Sequence, residues 1–293
     1  MENSSASTEK DDCDTVQDII VQQRPNLLDN FLDEVLGFQK DLSADVRKFI
    51  VGFIENACKK DPDLLPRLIA NLSFLFVDTD VSVQKKVIMS TEQTYQVALK
   101  WVAKSRGITE EMEHTWEFLL KLKNAILKLI ESDNYGVRTR VIKFMESLIL
   151  LQSCRSAQSE ELTGPDSMSL DQIPRDHRFL SYRRLEAEGK TIFQKLIDVV
   201  TSQKISSINL ITSLAALTKI VRQRPEFMEK AVIAFETAHV TLPPSLARAQ
   251  VMSVRKEMKK YLLLLLKHPA SSEFAQQLTT LLVDLGMSST EVT

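Results

Sequence analysis

The stretch Asp133–Leu151, DNYGVRTRVIKFMESLILL, decides how the rest of the chain is read. Val137, Val141, Ile142, Met145, Leu148 and Ile149 recur at helical spacing and form one apolar stripe. Gly136, Arg140, Lys143 and Ser147 follow one another along the opposite face, with Glu146 at its flank. Part of this helix occurs again elsewhere. Val46–Glu55 (VRKFIVGFIE) aligns with Val137–Glu146 (VRTRVIKFME), sharing Val, Arg, β-branched residues, Phe and Glu at matching places. Val83–Ser90 (VQKKVIMS) is a weaker copy, and Val254–Tyr261 (VRKEMKKY) keeps only the opening Val-Arg-Lys. Val46 and Val83 are 37 residues apart and Val83 and Val137 are 54 apart. The first interval suits a helix–turn–helix repeat, and the second implies a longer pair or an insertion.

The surrounding sequence extends this alternation. Apolar periodicity predicts helices from Pro25 to Leu36, over the first echo, after Asp61-Pro62-Asp63, over Val81–Ser105 and over Ile108–Glu131. Beyond the opening stretch, helices are expected at Ser181–Thr201, Ser206–Arg222, Pro225–Val240, Ser245–His268 and Ser271–Gly286. Seven Gly and nine Pro in 293 residues leave little material for a turn-rich β fold. The expected class is all-α: a HEAT/ARM-type α-solenoid of about five antiparallel helix pairs plus a final helix. Each pair has an apolar stripe that it cannot cover alone, and stacking buries it. The organisation expected is an acidic, disordered segment over 1–24, a repeat domain over 25–286 and a flexible tail over 287–293. Residues 152–180 interrupt the repeat as a long loop, which Asp171–Asp176 ties down in part.

Chemistry-bearing patterns are scarce. Cys13, Cys58 and Cys154 are odd in number and far apart, so neither a disulfide framework nor a zinc site is implied. The four histidines have no His or Cys at helical ligand spacing, and no phosphate-binding glycine motif or nucleophile elbow occurs. No catalytic residue, cofactor or metal is expected. Cys58 reads as a buried structural thiol, Cys154 as a thiol at the loop entrance with some scope for reactivity, and His177 as a loop anchor. The longest apolar run, Leu262–Leu266, is far too short to span a membrane.

The basic residues carry the remaining signal. Arg47, Lys48, Lys85, Lys86, Arg138 and Arg140, with Arg255 and Lys256 in the last copy, are read as lying in first helical turns, where cations oppose the helix dipole. Asp45, Asp80 and Asp133 precede them, and an inter-repeat Asp–Arg ladder is expected to offset the cost at Arg47 and Arg138. Lys143 falls outside that ladder, because the first echo has Gly52 there. It reads as a lone cation on an open helix face. Binding of RNA by the basic turns is an alternative, weakened by the net charge of −2, by the acidic neighbours and by the lack of exposed aromatic platforms.

A set of strings then points to a family. NLLDNFLDEVLGFQ, VRKFIVGFIENACKKD, LLPRLIANLSFL, SDNYGVRTRVIKFMESLI, SLDQIPRDH, ISSINL, RQRPEFM, LPPSLARAQVMSVRK, LKHPAS and TTLLVDLG occur in this order. Together they resemble the N-terminal domain of the symplekin family, over roughly Pro25–Gly286. The resemblance implies a helical-repeat domain without enzymatic activity, within the nuclear machinery that cleaves and polyadenylates pre-mRNA 3′ ends. It implies binding, on the concave face, of a phosphatase that acts on the RNA polymerase II C-terminal tail, and support of that phosphatase's activity. The family's contact lysine lies in its IKF motif, which is Lys143 here. The partner-binding set expected is Lys143, Arg140, Ser147, Glu146 and Lys86. Glu257 follows Lys256 where the family pattern has an amide, so no contact is carried to that position. Other cleavage and polyadenylation factors are expected partners, and any RNA contact is expected to be indirect. Members of the family are longer than 293 residues, so the chain is expected to correspond to part of a longer scaffold or to a shortened relative.

Overall fold

The structure is a computed structural model that describes residues 28–105, 107–160 and 168–288, with side chains from residue 31 onward. Eleven α-helices and several short 3-10 turns make up the described residues, and no strand occurs among them. The chain divides into two compact units, 1–128 and 129–293. The segment 1–24, with Pro25 as a helix start, lies outside the described residues, as do 161–167 of the loop and most of the tail.

The first unit contains α1 (Leu28–Gly37), α2 (Ala44–Lys60), α3 (Leu65–Phe76), α4 (Val81–Lys104) and α5 (Glu110–Lys128). Local chemistry sets the helix starts. Ser43 Oγ accepts from Val46 N, Asp61 accepts from Asp63 N ahead of Pro62, and Asp80 accepts from Ser82 N. α2 packs along α4 and α3 along α5, so first and second helices form two layers. Phe53, Ile54, Val83, Val87, Tyr95 and Leu99 lie between them with no more than 1% of their surface open. Each such burial is worth roughly 1.5–3 kcal/mol.

The second unit contains α6 (Tyr135–Leu151), α7 (Tyr182–Val200), α8 (Ser207–Gln223), α9 (Met228–Val240), α10 (Arg248–Leu266) and α11 (Ala275–Asp284). α8 is its axis: α6 and α10 pack on either side of it, while α7 and α9 cover it from the other layer. Asn209, in the first turn of α8, donates to Tyr135 O and Thr139 Oγ1 on α6 (3.0 and 2.9 Å), so the two helices run parallel. The expected stripe of α6 is buried as read, and Phe144 and Leu151 are buried with it. The last helix stops at Gly286, whose φ of 88° admits glycine best. Gly286 N donates to Val283 O and Met287 N to Leu282 O there.

The loop after α6 is anchored at both described ends. Arg224 has 1% of its surface open and donates to Ser153 O, Gln223 O and Leu150 O, closing the C-terminal end of α6. Burial pushes its guanidinium down to about 10. Asp171 accepts from Arg155 N and Ser169 Oγ (2.9 and 3.0 Å), while Met168, Leu170 and Ile173 are buried. His177 Nδ1 accepts from Phe179 N and Leu180 N, which is the anchoring expected of it. At Gly189, α7 crosses so close to α6 that a Cβ would lie 2.8 Å from Gln152 O.

Candidate functional site

The two helices that share the VR…FxE pattern hold their terminal glutamate in the same way. In the first unit, Glu55 of α2 accepts from Lys59 Nζ (2.6 Å) and from Ser90 Oγ of α4 (2.7 Å), with Lys86 Nζ at 3.8 Å. Burial alone would raise this carboxyl. The Lys59 and Ser90 hydrogen bonds, with the charges of Lys59 and Lys86, outweigh it and hold the group below the ordinary glutamate range. Lys86 reaches over Gly52, and a Cβ added there would lie 3.6–3.7 Å from the end of its side chain. A side chain that small would pack against the lysine in ordinary contact.

In the second unit, Glu146 of α6 accepts from Lys143 Nζ (2.8 Å) and from Lys219 Nζ of α8 (2.7 Å). The carboxylate side chain is only 4% exposed, whereas the lysines are 41% and 53% exposed. Two cations therefore rise from one recessed anion, and at least one positive charge is left in excess at the surface. Lys143 is not the lone cation its sequence position suggested. Glu146 is not a flanking surface group either: α8 closes over it, and it acts as the base on which Lys143 and Lys219 stand. Arg140 is exposed and Ser147 half-buried, both on the α6 side that also carries Lys143. Lys86 belongs to the first unit, where it has its own glutamate.

The expected Asp–Arg ladder is present at one rung, with a different acid. Arg47 donates through Nε and a second guanidinium nitrogen to Asp78 (2.6 and 3.0 Å), and through the third to Asp41 O and Leu42 O. The Arg47 hydrogen bond holds the Asp78 carboxyl below its usual range. Asp80 caps α4 instead, and Asp45 pairs with Lys48. At Arg138 the rung is open. Its Nε is buried without an acceptor, because the turn before α8 (Thr201–Ser206) carries no acid. Asn134, not Asp133, caps α6, accepting from Gly136 N and Val137 N.

The thiols divide as their surroundings dictate. Burial pushes Cys58 up to about 12, and its side chain is fully enclosed. Cys154 is half-buried, with Sγ 2.8 Å from Tyr182 Oη, and desolvation raises it too. A protonated thiol in this setting is a poor nucleophile. Among the described residues, no group of three or more His, Cys, Asp or Glu could hold a metal ion, and no helix is long and apolar enough to cross a membrane.

Lys219 and Ser90 are the residues that sequence reasoning missed. The recurrence of Glu at the end of both echoes was the available signal, since a charged residue repeated beside a buried stripe calls for a partner on the next helix.

This arrangement is that of an all-α helical-repeat protein, in which two second helices, α2 and α6, each hold a glutamate among lysines. Comparison with known proteins gives the family. The profile described as Symplekin/PTA1 N-terminal matches residues 80–293, and the chain belongs to that family. It is also similar to the mRNA cleavage and polyadenylation specificity factor complex subunit pta1 of Schizosaccharomyces pombe, with 26% identity over 161 residues. That similarity covers 54% of this chain and 24% of the yeast protein, so the chain corresponds to a minor part of the relative's length.

Proposed function

We propose that this chain is a non-catalytic scaffold domain of the nuclear pre-mRNA 3′-end cleavage and polyadenylation machinery. On this reading it docks a phosphatase of the RNA polymerase II C-terminal tail and supports its activity. Family membership and the pta1 similarity support the machinery. The observation that carries the docking face is the pair Lys143 and Lys219 standing on the recessed Glu146. The carboxylate limits the motion of both ammonium groups, so less side-chain entropy is lost when a partner's acceptors meet them. Lys143 occupies the position of the family's contact lysine, Arg140 and Ser147 lie beside it, and Lys86 offers a comparable cation on the first unit.

Calorimetric titration of the full chain with the purified phosphatase tests this. Lys143→Ala with Arg140→Ala should weaken binding by roughly tenfold or more, as expected for charged groups at an interface core. Wild-type affinity in the double variant would refute this face, and no binding by the wild type would refute the partner.

A further inference from the structure

The second-helix layer of the second unit has a charge that its other layer lacks. α6, α8 and α10 hold ten Arg and Lys against two Glu. α7, α9 and α11 hold five against six acids. Neither glutamate presents an open carboxylate. Glu146 is buried between two lysines, and the half-buried Glu257 takes Lys260 at 3.3 Å. The side chains of Arg138, Arg248, Arg255, Lys256 and Lys259 make no ion pair or hydrogen bond among the described residues. Arg47 shows what the fold does when such a side chain serves stability: it supplies Asp78. Nothing comparable is supplied here, although Arg138 and Arg248 lie in first turns where the helix dipole disfavours them.

We propose that this layer, centred on α10, binds the phosphodiester backbone of single-stranded RNA. Arg248, Arg255 and Lys259 are spaced by seven and four residues, or about 10 and 6 Å along the helix. That is a run of cations for a repeating anion, not a single subsite. A protein surface presents both signs and would call for acceptors and donors together. Glu146 and Glu257 each take a lysine and Glu160 of the preceding loop takes Arg222, so the layer keeps a surplus of cations, which suits a polymer of uniform negative charge. Tyr135, Ile208 and Met252, each about 60% exposed in the N-terminal halves of α6, α8 and α10, offer apolar surface to unstacked bases beside the cations. The RNA proposal does not rest on the phosphatase reading, although α6 and α8 of this layer also carry Lys143 and Lys219; its variants lie on α10, and its test contains no phosphatase.

Fluorescence anisotropy of the full chain with a labelled single-stranded RNA measures it directly. With four phosphate contacts the slope of log affinity against log salt should be about −3, an affinity loss of about 50-fold between 50 and 200 mM. Arg255→Glu with Lys256→Glu should weaken binding at least tenfold and reduce the slope by about 1.4. Lys195→Glu with Lys230→Glu, on the other layer, should leave both unchanged. Circular dichroism melts confirm that each variant is folded. Absence of binding at the lower salt, an α10 variant within twofold of wild type, or equal damage from the other-layer variant would each overturn the proposal. So would competition by polyglutamate at equal charge concentration, which would assign the layer to an acidic protein.

Discussion

Removing Lys143 and Lys219 singly and together should give strongly non-additive stabilities. Glu146 is nearly enclosed, and each lysine lies within 2.8 Å of it. Lys143→Ala leaves Lys219 in place, so the carboxylate keeps a neutralising charge. The loss should resemble that of a surface pair, about 1 kcal/mol or less. The same holds for Lys219→Ala. The double variant strands a recessed carboxylate, and leaving such a group unpaired costs about 3–5 kcal/mol. Water entering the vacated space lowers this, so about 3 kcal/mol is expected, with a coupling energy of at least 1 kcal/mol. Urea unfolding followed by far-UV circular dichroism is the assay. Trp101 and Trp116 both lie in the first unit, so their fluorescence reports on that unit, beside the far-UV signal of the whole chain. Double-variant stability equal to the sum of the singles would refute the shared-anion geometry. The same experiment shows whether Lys143→Ala is a clean probe of binding, free of a folding defect.

Two further outcomes are expected. Gly189→Ala should lower stability by about 1–3 kcal/mol, because the new Cβ meets a backbone oxygen that cannot rotate away, and this exceeds the gain in helix propensity; a thermal midpoint at or above wild type would contradict the close approach of α7 to α6. Asp78→Asn should destabilise the first unit at neutral pH: the folded-state carboxyl is depressed, so its contribution is full above the ordinary carboxylate value of about 3.9 and disappears as pH falls through the depressed one. Tryptophan-monitored urea midpoints of variant and wild type should therefore stay apart from about pH 7 to 5 and converge only in stronger acid.

Much of the fold was legible because helices announce themselves locally. The stripe of α6, the helix start at Asp61-Pro62-Asp63 and the enclosed Cys58 all follow from spacing and residue type within a few turns. What the sequence hid depends on the next helix. Lys143 looked solitary because its anion's second cation, Lys219, lies on α8. Arg47 and Arg138 share a motif, yet only one finds an acid, because the Asp78-Thr79-Asp80 turn has no counterpart before α8. Arg224 gave no sign of burial, since it is held by backbone carbonyls, which every residue carries alike. The family resemblance pointed to Lys143 but not to the carboxylate beneath it, which is a property of packing.

The uneven sharing of charge between helix layers has a practical consequence. A chain with a net charge of −2 would be expected to pass a negatively charged resin at neutral pH. Here ten of the basic side chains are gathered on three helices of one layer. A chromatographic bead or a polymer approaching from that side meets a cationic object, whatever the titration of the whole molecule says. The second unit should be held on a sulfonated matrix by that layer, leaving α7, α9 and α11 facing the solvent.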